Sequence, residues 1–165
     1  MMRCPWLGPL PTVIGFAMAV AAGAAGPEVV AGTTGAVGAV EAFHQALATG
    51  NRDASIALLD PDVVIFEEGD AEMSCDEYVS HHLAADIDFV AATKTDLVDR
   101  RSGGSADLAW VITRSRTTGT FRGRDIGSLG GETMVLRRGD NGKWRILHIH
   151  WSSRPIPKPA AKPSS

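Results

Sequence analysis

Acid–base chemistry is the first possibility the chain offers. His82 and Asp86 lie four residues apart, and Glu67 closes the apolar run Val63-Val64-Ile65-Phe66. On a helix, residues four apart stack on one face, so Asp86 can accept from one ring nitrogen of His82 and leave the other facing a cavity. Such a pair moves protons as a general acid or base, with Glu67 assisting. The competing reading of His82 is a core histidine that fixes its helix against a sheet, because a buried imidazole with a partner is satisfied without doing chemistry. For Glu67 it is a turn carboxylate ahead of Glu68-Gly69.

His148, His150, Trp110, Arg116 and Tyr78 are candidates for holding a ligand. His148 and His150 are two residues apart, which puts them on one face of a strand and lets them orient a polar group. Joined by His82 and either Asp86 or Glu67, they would supply nitrogen and oxygen donors for a transition metal. A lone His-x-His without dense Cys, His and Asp around it is a weak signal for a metal, so no metal or other cofactor is expected. Trp110 and Arg116 share a parity on one long strand. They could form an apolar wall and a bidentate clamp for a carboxylate, or Arg114 and Arg116 could pair with acids such as Glu132. Tyr78, the only tyrosine, offers a phenol either to a developing oxyanion or to packing. No glycine-rich phosphate loop and no nucleophile elbow is present, and Cys75 has no activating partner beyond its place in a helix's first turn.

The elements that must position these groups can be read from spacing. Ala36, Val40, Phe43 and Leu47 recur at helical intervals after Thr33 or Thr34, with Gly50 as the stop. Asp53 is expected to cap a short second helix ended by Asp60-Pro61, before a strand over 62–67. Ser74-Cys75-Asp76-Glu77 has capping-box spacing for a third helix reaching Phe89 or Val90. On it Val79, Leu83, Ile87 and Val90 form the apolar stripe, Cys75, His82 and Asp86 fall in the buried arc, and His81 points to solvent. Strands follow over 94–101 and from Asp107 to about Thr118. A glycine-broken stretch to Gly131, suggesting bends or a mobile loop, precedes a hairpin centred on Asn141-Gly142. Alternation on its last strand puts Trp144, Ile146, His148, His150 and Ser152 on one face and Arg145, Leu147, Ile149 and Trp151 on the other. Both faces carry large apolar groups, so helices should cover one and a second subunit the other.

This hairpin carries a resemblance. Glu132-Thr133-x-Val135-x-x-Arg138, then Gly142-Lys143-Trp144, then His148-x-His150-x-Ser152 resembles the closing hairpin of the association domain of calcium/calmodulin-dependent protein kinase II. It is also similar to the SnoaL-like and ketosteroid-isomerase-like proteins of the nuclear transport factor 2-like superfamily. Ile65-Phe66-Glu67-Glu68-Gly69 matches the apolar-Phe-Glu-x-Gly pattern common in SnoaL-like proteins. The resemblance implies an α+β fold in which a curved antiparallel sheet wraps over three helices as a cone with an internal pocket. It implies a small, partly apolar ligand, a homodimer, and either simple binding or a cofactor-free isomerase- or dehydratase-type proton transfer. Tyr78 would then be an oxyanion donor of the ketosteroid-isomerase kind. Likeness to the kinase domain leaves open a non-catalytic homo-oligomeric interaction module, and the histidines leave open a metal-binding protein.

Composition sets the wider frame. Residues 1–25 combine Arg3 with a small, apolar run and Ala22-Gly23-Ala24, the pattern of an export signal, so a periplasmic or extracellular location is expected, with a retained membrane anchor as the alternative reading of the same run. The 140 residues left from 165 suit one domain: a linker over 26–32, a folded unit over 33–153, and an exposed tail over 154–165 holding four of the nine prolines. With a net charge of −3 and mostly scattered basic residues, nucleic acid is not an expected partner, and no membrane span remains once the leader is removed.

Overall fold

The computed structural model describes residues 28–29 and 32–157. The expected signal segment lies outside them, as do most of the linker and residues 158–165 of the tail.

Helix α1 (Thr34–Ala48) buries Ala36, Val40, Phe43 and Leu47, the stripe its spacing predicts. The Thr33 hydroxyl ahead of it is tied to Ser102 Oγ at 2.8 Å, so it docks the helix on the sheet rather than capping it. Helix α2 (Arg52–Leu58) is capped by Asn51, whose Oδ1 accepts from Ala54 N at 3.1 Å, not by Asp53. Asp53 instead sits in the first turn, where its charge suits the helix dipole. Strand β2 (Leu59–Glu67) starts earlier than Asp60-Pro61 suggested, because its pairing shifts register between Leu59 and Val64 and so tolerates the proline. Asp60 is buried there and accepts from Arg137 Nη2 at 2.8 Å.

After β3 (Asp70–Glu72), Ser74 Oγ caps the next helix by accepting from Glu77 N at 3.2 Å. That helix is bent into α3 (Cys75–His81) and α4 (Leu83–Ala92), with His82 between them, so four helices stand where three were expected. The ladder continues through the bend: His82 N donates to Tyr78 O at 2.9 Å and Asp86 N to His82 O at 3.0 Å. Long strands complete the fold: β4 (Thr93–Gly104), β5 (Leu108–Phe121), β6 (Arg124–Arg138) and β7 (Trp144–Pro155). With the short β1 (Glu28–Val29), the sheet order is β1-β4-β5-β6-β7-β2-β3. It is antiparallel except where β2 and β1 run parallel to β7 and β4. Glycines 127, 130 and 131 lie within continuous β5–β6 pairing rather than in a loop, and the chain turns at Arg122-Gly123. Ile156 N donates to Gly127 O at 2.8 Å just past β7, so the start of the proline-rich tail is held along the sheet. Among the described residues no helix is long and apolar enough to cross a membrane.

Which face of the sheet meets the helices is settled strand by strand. On β5 the inner set is Ala109, Val111, Thr113 and Thr117, all buried, while Leu108, Trp110 and Ile112 are 40–50% exposed on the outer face. On β7 pairing with β6 passes from Leu136↔Ile146 to Val135↔His148, leaving Leu147 as an extra residue. One extra residue reverses parity, so Trp144 and Ile146 face inward before it and Ile149 and Trp151 after it. The single-face grouping of Trp144, Ile146, His148 and His150 therefore does not hold.

The β4–β5 turn depends on Gly104, at φ +151°, where a Cβ would stand 2.2 Å from Leu108 O and 2.6 Å from Ala109 Cα. Gly104→Ala should cost more than about 1 kcal/mol of stability, while Gly127→Ala, with open space around it, should stay within about 0.5 kcal/mol. Urea unfolding of both variants checks the contrast.

Candidate functional site

Between the inner face of the sheet and helices α1 and α4 lies a cavity of about 630 Å³. Leu47, Phe89, Val90 and Leu97 supply apolar wall, and Glu67, Asp86 and Glu132 bring carboxylates from β2, α4 and β6. Glu67 reaches it because it shares parity with the buried Val63 and Ile65.

Asp86 does not pair with His82. Its Oδ2 accepts from Tyr78 Oη at 2.7 Å, and Tyr78 itself is fully buried beside Trp151 with ring centroids 6.5 Å apart. The imidazole of His82, at the bend, instead turns to β3, where Nδ1 bonds Glu72 Oε1; the ring is 41% exposed and the Glu72 side chain 7%. The expected His82–Asp86 dyad is therefore replaced by two separate pairs, Tyr78–Asp86 at the cavity wall and His82–Glu72 behind it. Tyr78 spends its proton on Asp86, so it orients that carboxyl rather than offering an oxyanion donor to a ligand.

Electrostatics sets Glu67 and Asp86 apart from surface acids. Burial pushes the Glu67 carboxyl above its ordinary range, the negative charge of Asp86 pushes the same way, and His82 opposes them. Asp86 is also raised, chiefly by burial, although the Tyr78 bond and His82 pull it back. Burial, then Asp86, drives the Tyr78 phenol far above its usual value. Burial, with Asp76 beside it, raises the Cys75 thiol, the opposite of an activated cysteine.

The remaining candidates stand elsewhere. The bulge at Leu147 sends His148 and His150 to the outer face, where His148 Nδ1 donates to Val64 O at 2.8 Å and its ring meets Phe66 edge-on at 5.5 Å. They cannot meet His82 across the cavity, which removes the geometry that a shared metal site required. Among the described residues no group of three or more His, Cys, Asp or Glu is placed to hold a metal ion. Trp110 and Arg116 are exposed on the same outer face, because the inner parity of β5 is the odd one. Trp110 lies across Gly103, where a Cβ would come within 2.5 Å of its ring. Arg116 faces Asp96 in the β4–β5 register and so cannot clamp a ligand inside.

Three polar partners escaped sequence reasoning, Glu72 behind the cavity and His44 and Glu132 at its wall. Glu72 carries no pattern that marks it. His44 borders the apolar stripe of α1, one turn from Val40, a polar group at a core edge. Glu132 was noticed only as a partner for arginine, yet it alternates with Met134 and Leu136, and that parity alone places it on the core face.

A cone of curved sheet over helices with a carboxylate-lined cavity defines an α+β fold of the nuclear transport factor 2-like kind. The sequence profile of the SnoaL-like domain matches residues 37–157, and the chain belongs to that family. Among solved structures it is similar to a candidate ketosteroid isomerase from Shewanella frigidimarina, 30% identical over 76% of this chain and 99% of that one, with a TM-score of 0.71. It is also similar to a candidate calcium/calmodulin-dependent protein kinase II association domain from Xanthomonas campestris, 25% identical over 73% of this chain and 86% of that one, TM-score 0.59. A ketosteroid isomerase-like protein from Erwinia carotovora atroseptica, 22% identical over 71% and 92% of the two chains with a TM-score of 0.60, shares the fold. No curated protein matches the chain.

A carboxyl whose folded-state pKa is raised favours folding while protonated and opposes it once ionised. The penalty is thus present above the folded pKa and absent below the unfolded one. Glu67→Gln should therefore raise Tm near neutral pH, and calorimetry should show that gain shrinking as pH falls through the carboxylate range. An equal gain at both ends would trace it to packing.

Proposed function

We propose that this chain is an exported SnoaL-like protein that takes a small, partly apolar molecule into its cavity and catalyses a cofactor-free proton transfer of the isomerase or dehydratase type. The observation that carries this reading is the pair of raised carboxyls, Glu67 and Asp86, at the wall of a cavity otherwise bounded by Phe89, Val90, Leu97 and Trp151. Two acids whose environments favour the neutral form, and whose charges oppose each other, tend to share one proton between them. The ionised member can remove a proton from carbon beside a carbonyl, and the protonated member can return one to the far end of the resulting enolate. Tyr78 holds Asp86 in one rotamer through its 2.7 Å bond, and His82, bonded to Glu72 behind the wall, is not the base. Likeness to a candidate ketosteroid isomerase supports the choice of reaction class.

Exchange of the carbon-bound proton tests this directly, using a steroidal β,γ-unsaturated ketone in deuterated water followed by NMR. Asp86→Asn should slow isomerisation or exchange by about a hundredfold and Tyr78→Phe by less. If the wild type leaves the ketone's exchange at the buffer rate, or if Asp86→Asn together with Glu67→Gln exchanges as fast as wild type, proton transfer by these residues is wrong.

The same reading includes a homodimer through the outer sheet face. Trp110 and Ile112, 40% and 43% exposed, adjoin Val135 and His148 across the strands, and Phe66, 42% exposed, extends the apolar strip. Exposed strips of this kind on a sheet are favoured as interfaces. Ile112→Asp should convert dimer to monomer in sedimentation while leaving the circular dichroism spectrum unchanged; a monomeric wild type would rule the dimer out. Export is supported by the composition of residues 1–25.

A further inference from the structure

The cavity has a second polar wall that proton transfer does not use. Glu132 Oε2 accepts two hydrogen bonds, from His44 Nε2 at 2.7 Å and from Trp151 Nε1 at 2.8 Å. Among the described residues its other oxygen, Oε1, is buried without any hydrogen-bond partner. Arg100 stands near enough to act by charge, but its guanidinium donates to Glu41 Oε1 at 2.7 Å and leans on Thr113 Oγ1 at 3.4 Å. Burial alone would raise this carboxyl, yet the bond and charge of His44, the Trp151 bond and Arg100 bring it below its ordinary range. The result is an ionised, acceptor-only oxygen with a free lone pair in a site shielded from bulk water, an arrangement that costs free energy until a donor meets it.

Glu132 is itself one of the residues that line the cavity. Gly130, two residues before it on the same face of β6, also lines the cavity and places no side chain in it; a Cβ there would stand 3.0 Å from Ser115 Oγ. The surrounding side chains are mainly acidic: with Glu41 and Arg100 paired to each other, Glu67, Glu68 and Asp86 line the same cavity against Lys94.

We propose that Glu132 Oε1 is the docking point for a hydroxyl or amino hydrogen of the ligand, so that the cavity selects non-anionic, hydrogen-donating compounds and rejects carboxylates. This rests on the reading that the cavity binds a small molecule, and it reverses the sequence-based expectation that an arginine would clamp a carboxylate there. Trp151 both donates to Glu132 and stands in the cavity wall, so a flat apolar body can lie against it while its head reaches Oε1.

Calorimetric titration of the full chain with β-naphthol, β-naphthylamine, β-naphthoate and naphthalene tests it. Wild type should bind the naphthol and the amine roughly tenfold more tightly than naphthalene, and naphthoate more weakly than either. In Glu132→Gln the amide oxygen can keep the bonds to His44 and Trp151 while its NH₂ replaces the free acceptor. That variant should lose the preference for naphthol and amine and gain affinity for naphthoate, with naphthalene unchanged. A wild type that prefers naphthoate, or that binds naphthol no better than naphthalene, overturns the proposal even if the variant fails to fold. Failure of all four compounds to bind overturns both it and the small-molecule reading, so the two failures are told apart.

Discussion

The structure depends on one constraint, that the sheet must turn a single continuous apolar face toward α1 while its strands are long enough to curve. Strand β7 carries most of that burden, because it lies between β6 and β2 and joins the antiparallel part of the sheet to the parallel pair. Its apolar residues do not alternate cleanly, and the extra residue at Leu147 reconciles them. Trp144 and Ile146 serve the core on one side of the bulge, Ile149 and Trp151 on the other. Every later feature follows from that shift. It puts Trp151 beside Glu132 and Tyr78, and it sends both histidines out of the cavity.

Inside the cone the chemistry is that of buried carboxylates handled in two ways. Glu132 receives two donors and a nearby cation, so its charge is supported and its ionised form persists. Glu67 and Asp86 receive less help and face one another's charge, which favours the proton-bound form and makes each a group able to take or give a proton. Burial opposes the charge of all three acids, and most deeply that of Glu132, so it is the partners that decide which charge survives. Tyr78 links the two regimes, donating to Asp86 while its ring packs at a tilt beside the Trp151 that donates to Glu132.

The two faces of the sheet thereby separate two kinds of work. The inner face holds titratable groups in an apolar enclosure, as small-molecule chemistry requires. Its outer face holds Trp110, Ile112 and Phe66 beside His148 and His150, an exposed apolar strip of the kind the proposed dimer would cover. A SnoaL-like domain can host either role, and here both surfaces are present on one chain.

By itself the sequence determined the stripe of α1, the Ser74 cap, the closing hairpin and the place of Asp86 in a buried arc, while the class of fold came with the family resemblance and Glu67 stayed open between turn and cavity. Each feature so determined is a local matter of period, cap or turn chemistry. Tertiary structure alone decided the rest. The four-residue spacing of His82 and Asp86 is real, but Glu72, ten residues before His82, and Tyr78, eight residues before Asp86, outcompete it once the helix bends at His82. The parity of His148 and His150 was legible only up to Leu147, since a bulge is chosen by the register of the neighbouring strand and not by the strand that carries it. Nor could spacing reveal that His44 and Glu132, 88 residues apart, share a proton-bearing contact. Long-range pairing places side chains where no local period reaches, and that is where the polar groups of this cavity found their partners.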